Sequence, residues 1–493
     1  MDYVKFISLK LVRIILSCLR REEWRLHVTV MRNKSVDITK GALLPLIISY
    51  AIPLVLAGLV QTLFNAADMA VLGAFDKSSD SSAVGAVGAT GALINLIVSS
   101  VVGLSAGTNV ILARAVGAKD EDRAKKIVDT SMVLSVASGI AIFVFGFLTV
   151  RWFLDVTGCP ENCYNGALTY MRIYFLATPA IYVYNFGSAI IRVSGDSRSP
   201  SFYILVSGLV NVLLNFALCV IMQDKVAAVA IATLVSNVLS AALTVWHLIS
   251  IKTGPCKIDL KKIDFSWKEL GSIFILGLPT AFTTALYSIS DLQMQSAINS
   301  FGSSAVAGNS ASAKIDGFVN SFTYPIAMTA MVFIGQNIGA KERERVKKTI
   351  VISLLMSFAV ALLLGNCVLL VSDRIIHTFL PNDPVGVAVA KVRIEWVLSM
   401  YFLCAVDSVL SFSMRAFGHS LLPMLNSLVS VIMFRAAWMA WIYPRMSFSG
   451  NPAEDIMNVY KCYMVSWVLS LLVQTVLFVI VYVRYLRGKG KKI

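Results

Sequence analysis

The sequence predicts an all-α polytopic membrane protein with about twelve transmembrane helices, arranged as two parallel six-helix lobes related by a pseudo-two-fold axis along the membrane normal. Three observations carry this. Apolar residues make up 57% of the chain and charged residues 14%, against about 25% charged in soluble proteins. The apolar residues come in blocks long enough to cross a hydrocarbon core. A polar string recurs nearly half a chain apart.

The blocks come first. A crossing helix needs roughly 20 apolar residues, and segments 43–73, 132–153, 202–222, 350–371 and 465–483 meet that length. Other runs are diluted by Gly, Ser, Thr and Asn, as is normal where helices pack on helices or line a cavity. Helices are expected at 43–73, 83–113, 124–153, 166–193, 199–222 and 226–251 in an N-lobe spanning 41–251. A C-lobe over 268–487 holds helices at 269–300, 303–336, 346–371, 386–416, 420–445 and 458–486. Residues 252–267 form a polar linker, and 488–493 a basic tail. Residues 1–40 stand apart as a basic amphipathic extension suited to a membrane surface; an alternative is that translation begins at Met31.

The repeat is the string GAKDEDRAKK at 117–126, which returns as GAKERERVKK at 339–348. Arg192, Gly195, Ser197 and Pro200 likewise return as Arg415, Gly418, Ser420 and Pro423, and Pro53 pairs with Pro279. Six crossings per half is an even number, so both halves insert the same way up, with a site expected at their interface.

The formal charge of +15 is an orientation signal. With a cytoplasmic N-terminus, the basic clusters at 114–126, 192–198, 252–268, 341–348 and 484–492 all fall inside, together with Arg415 and the N-terminal tail. The outside loops hold only Lys77, Arg151, Lys225, Arg374, Arg445 and Lys461. That is the positive-inside pattern, and it argues against nucleic acid as a partner. Enzyme activity is not expected, because no nucleophile with a His-based dyad is evident. No phosphate-binding GxxxxGK loop is present for direct ATP use. His27, His247, His377 and His419 lack zinc-ligand spacing, so no metal site and no cofactor is expected. Cys159 and Cys163 share an outside loop and read either as a disulfide or as two free thiols.

Ionisable residues inside spans are functional candidates. Asp68 shares a helix face with Gln61 and Asn65, downstream of Pro53, which removes one helix hydrogen bond and permits a bend. Asn211 and Asn215 lie one turn apart, Tyr170 and Asn185 are on the fourth helix, and Thr233 and Asn237 on the sixth. Together they offer a carboxylate, amide oxygens and hydroxyls, hard ligands suited to H+ or Na+. In the second half, Asp291 and Gln295 lie one turn apart, Lys314 and Asp316 are expected to neutralise one another, and Asp407 stands in the tenth helix. Asn65, Met69, Asp291 and Gln295 are candidates for lining a substrate cavity, with Met294, Met328 and Met331 near them.

From residue 40 onward the chain resembles the multidrug and toxic compound extrusion (MATE) transporters, in their prokaryotic drug-efflux and damage-inducible branch. The matching pieces are QTLFNAADMAVLG over 61–73, ARAVGA over 113–118, the 192–200 segment and IGQNIGA over 334–340. The resemblance implies two lobes around a cavity and alternating access driven by inward H+ or Na+. It places the family's ion-coupling residues on Asp68, Gln61, Tyr170, Asn185, Asn211 and Thr233, and its hinge proline on Pro53. Asn215 stands where the family often has a second carboxylate, leaving one negative charge. The implied protein is a monomeric antiporter in the cell membrane, both termini cytoplasmic, that exports amphipathic cationic organic compounds. The runner-up is a flippase for a lipid-linked precursor, for which Arg172, Lys314, Lys391, Arg393 and Arg435 are the candidate head-group contacts.

Overall fold

The computed structural model describes residues 37–75, 82–157, 159–251, 254–259, 261–380, 383–447 and 449–488. The N-terminal extension, apart from 37–40, and residues 489–493 of the tail lie outside these residues. Among the described residues, eleven helices are long and apolar enough to cross a membrane, and a bent pair is the candidate for a twelfth crossing. They are α1 (Leu43–Phe75), α2 (Ser82–Ala89, then Gly91–Gly117), α3 (Glu121–Val156), α4 (Glu161–Val193), α5 (Arg198–Ile221) and α6 (Lys225–Ser250). The second half supplies α7 (Trp267–Asn299), α8 (Ser303–Gly339), α9 (Arg343–Phe379), α10 (Pro384–Arg393, then Tyr401–Ala416), α11 (Leu421–Arg445) and α12 (Met457–Leu486).

The repeat extends to backbone conformation. Lys119 and Lys341 both adopt positive φ, at 57° and 62°, a region uncommon for residues with a Cβ. Each closes its helix with the same pair of bonds. Lys119 N donates to Val116 O and Asp120 N to Ala115 O, as Lys341 N does to Ile338 O and Glu342 N to Asn337 O. This is the left-handed C-terminal cap. Gly195 and Gly418 repeat it at φ 92° and 79°.

Three spans depart from smooth helices. α2 is broken at Thr90, whose hydroxyl bonds the Val87 carbonyl between two glycines, Gly88 and Gly91. α10 bends by 44° after a π-helical turn at Ile394–Leu398. α11 carries π turns at Ser427–Met433 and Trp438–Ile442. A π turn inserts an extra residue and rotates everything after it. Here those turns adjoin Arg393 and Arg435, two buried arginines that must be aimed at partners.

Leaving aside residues 1–37, the described chain forms two compact units. One takes in Ile52–Val101 and Glu121–Leu270, the other Ile38–Ala51, Val102–Asp120 and Gly271–Ile493. α1 passes from the second unit into the first between Ala51 and Ile52, immediately before Pro53.

Small residues allow close helix approach in both units. In the first, Gly139 packs on Pro179 of α4 and Gly208 on the Phe64 ring of α1. In the second, a methyl group at Gly117 would overlap the Gln336 carbonyl oxygen, and one at Gly339 would overlap the Arg114 carbonyl oxygen. These contacts exchange under the repeat. The repeat-equivalent arginines act as pins. Arg123 forms a two-pronged pair with Glu269 at 3.0 and 3.2 Å within the first unit. Arg345 donates to the carbonyls of Ile38, Lys40 and Gly41 at 3.0, 3.2 and 2.8 Å within the second.

Candidate functional site

The first unit brings four of its helices together around Asp68. The carboxylate lies half-buried on α1, and its Oδ1 accepts from Asn215 Nδ2 of α5 at 2.5 Å. The same Nδ2 is 3.3 Å from Asn211 Oδ1, one turn back. Asn215 is fully buried and Asn211 nearly so. Tyr170 of α4, also buried, is close enough to Thr233 of α6 and to Asp68 to interact electrostatically with both. Thr233 Oγ1 donates to the Val229 carbonyl at 3.0 Å. Tyr174 stacks on Tyr170 with ring centroids 6.2 Å apart.

Two side-chain oxygens on α5 are buried without a hydrogen-bond partner: Asn215 Oδ1 and Ser207 Oγ. Ser207, Asn211 and Asn215 follow one another at helical spacing and form one stripe on α5. The one-turn spacing that marks the two asparagines in the sequence marks Ser207 as well. A carboxylate with one amide donor, beside that amide's unpartnered oxygen, can accept a proton or a small hard cation.

The other candidates are placed as follows. Asn185 donates its amide to Ile181 O, one turn back on its own helix, at 2.8 Å. Gln61 and Asn65 are exposed on α1, and Met69 is half-buried there. Cys159 and Cys163 are free thiols.

The second unit holds a separate polar network. Asp316 pairs with Arg393 of α10 at 2.7 Å, while Lys314 is exposed. The expected local Lys314–Asp316 neutralisation is therefore replaced by a pair formed across 77 residues, because the two side chains project in different directions around α8. Asn309 Oδ1 accepts from Arg393 and from the Tyr460 hydroxyl. Asn309 Nδ2 reaches Gln295 Oε1 at 3.3 Å, and Gln295 also bonds Asn299 at 2.7 Å. Asp291 lies 3.6 Å from Arg435. Met294 and Met331 are fully buried. Asp407 accepts from Ser470 Oγ at 3.1 Å, and Ser470 in turn meets Asn426 and through it Gln474.

The MatE family profile matches residues 53–217 and again 279–441. The chain belongs to the MatE family. It is a MATE transporter, a multi-pass membrane protein and not an enzyme. The profile's two matches correspond to the two sequence halves. The first contains Pro53, Asp68, Tyr170, Asn211 and Asn215, and the second contains Asp291, Arg393 and Arg435. Thr233 lies between them.

This MATE protein is 26% identical to the probable multidrug resistance protein YoeA of Bacillus subtilis, over 86% of this chain and 90% of that protein. It is 22% identical to the probable multidrug resistance protein NorM of Thermotoga maritima, over 78% and 82%. In fold it matches an outward-facing multidrug resistance MATE transporter with a TM-score of 0.82 at 18% identity, covering 92% of this chain and 99% of that one. A MATE protein solved in a bent conformation also matches, with a TM-score of 0.81 at 19% identity over 91% of this chain and 98% of that one.

Proposed function

We propose that this MATE transporter is an antiporter that exports amphipathic, cationic organic compounds by alternating access, driven by H+ or Na+ bound at Asp68. The supporting observation is the single carboxylate of Asp68, held by Asn215, whose own side-chain oxygen is buried without a partner. An ionisable group in a span is costly unless it serves an ion pathway or is paired. The relatives named as multidrug resistance proteins support drug-like substrates. Gln61, Asn185 and Thr233 complete the proposed ion-coupling set, with Tyr170, Asn211 and Asn215; Asn65, Met69 and Gln295 line the proposed substrate path. The test is transport of cationic dyes into proteoliposomes under imposed pH or Na+ gradients. Transport that ignores both gradients defeats the proposal.

Pro53 is the proposed hinge. It stands where α1 passes between the two compact units, and it deprives the Ser49 carbonyl of its helical donor. Pro53→Ala restores that bond and is expected to lower the transport rate several-fold at unchanged expression. Wild-type kinetics would remove the bend from the cycle.

The proposed location is the cell membrane, with both termini cytoplasmic. Thiol probes introduced at 119–123, 257–262 and 341–345 are then labelled from the cytoplasmic side, and probes at 76–80 from the outside. Native Cys256 gives no background: it is 5% exposed, and burial pushes its thiol up to about 12. Since the thiolate is the reactive form, Cys256 stays unlabelled by maleimide from pH 7 to 9. Labelling of 119–123 and 341–345 from opposite sides would end the parallel-repeat topology.

A further inference from the structure

The second unit stacks two arginines around one tyrosine, Tyr463, and the two are not equivalent. Arg393 has a committed partner: Nε and Nη2 both donate to Asp316 Oδ2, at 3.2 and 2.7 Å, and Asp316 is itself largely buried. Arg435 is 2% exposed, and its guanidinium lies 4.2 Å from the Tyr463 ring centre. Its hydrogen bonds go to neutral hydroxyls, Ser466 Oγ and Ser290 Oγ, each at 3.2 Å. The carboxylate facing it, Asp291, is 3.6 Å away with its side chain 67% exposed. That separation is beyond a hydrogen bond. A buried guanidinium is thus matched to an open carboxylate by Coulomb attraction alone.

The exposure has a direction. An ionised side chain within a span does not face hydrocarbon; it faces protein or water. The open side of Asp291 therefore faces a water-filled space, the route by which a solute would arrive. Arg435 cannot follow Asp291 outward, because it is fixed by hydroxyls from α7 and α12 and by a ring from α12. An arriving anion would find Arg435 sealed, whereas an arriving cation would find Asp291 accessible.

We propose that Asp291 recognises the positive charge of a transported organic cation, and that Arg435 is its built-in competitor, reclaiming the carboxylate when the cation leaves. This rests on the reading of the substrate as an organic cation. The π turns flanking the Phe434–Ala437 segment place Arg435 behind Asp291, where it lowers cation affinity and so permits release. Asp316, closed onto Arg393, has no such role.

The test is equilibrium binding of radiolabelled tetraphenylphosphonium to the purified full chain without any gradient, with a neutral amphiphile of similar size measured in parallel. Asp291→Asn is expected to weaken cation binding about tenfold and to leave the neutral compound within about twofold. Arg435→Gln is expected to strengthen cation binding several-fold and slow its release, whereas Arg435→Lys, which keeps a competing charge, stays close to wild type. Weaker cation binding in Arg435→Gln at wild-type melting temperature overturns the proposal. If Arg435→Gln does not fold, Asp291→Asn decides alone: selective loss of the cation supports the proposal, and an equal loss of both ligands or no loss overturns it. Failure of the underlying reading looks different, because wild type itself would then bind no organic cation.

Discussion

Asp68→Asn is expected to leave a transporter that binds substrate and does not pump it. The substitution keeps the shape of the side chain and removes the one charge that the Asn215 amide faces. A permanently neutral residue 68 cannot exchange a proton or hold Na+, so no gradient can act through it. Coupling is reciprocal: if ion binding weakens substrate binding, substrate weakens ion binding by the same factor. Removing the ion site therefore abolishes gradient-driven export while equilibrium substrate binding persists. The complementary change is Asn215→Asp. It places a second carboxylate against Asp68, and two unit charges about 4 Å apart repel by about 4 kcal/mol at an effective dielectric near 20. A monovalent cation between them relieves that repulsion, so Na+ affinity is expected to rise at least about tenfold. Both variants are read by isothermal titration of Na+ and by dye export in proteoliposomes. Concentrative export by Asp68→Asn would make Asp68 structural and move the coupling site elsewhere.

Gly339→Ala is expected to cause the largest loss of stability among single methyl additions in α8. Its new Cβ would meet the Arg114 carbonyl oxygen, and the equivalent atom in Gly117→Ala would meet that of Gln336. These are backbone obstacles, so no rotamer change relieves them. Overpacking of this kind costs about 1–3 kcal/mol, occasionally more. The control is Gly317→Ala, on the same helix, where nothing lies within 4 Å. There the added methyl stabilises the helix by about 0.5–1 kcal/mol. Thermal unfolding of the purified proteins separates the two, and equal melting temperatures for Gly339→Ala and Gly317→Ala would show that the contact is not close in solution.

Features set by spacing along one helix were legible in the sequence. Asp68 and the Asn211–Asn215 pair could be found because 3.6-residue periodicity places them on faces, and the repeat because a ten-residue polar string stands out between apolar helices whose positions many apolar residues can fill. Features set by partners far along the chain were not. Arg393 finds Asp316 across 77 residues and Arg435 finds Ser290 across 145, and nothing local marks either pairing. The breaks in α10 and α11 were invisible for a related reason. A π turn uses ordinary helix formers, and what selects it is a buried guanidinium whose partner lies on another helix.

Arg345 has a consequence for how the protein is made. Its contact with the Gly41 carbonyl spans 304 residues. At about 5–20 residues per second of synthesis, the first turns of α1 leave the ribosome on the order of 15–60 s before the side chain that pins them. Throughout that interval the start of the first span lacks its final neighbour, whereas the Asp68 end of α1 gains Asn215 part-way through it. The membrane-insertion machinery must therefore tolerate an early helix whose leading end is settled only when the second half of the polypeptide has emerged.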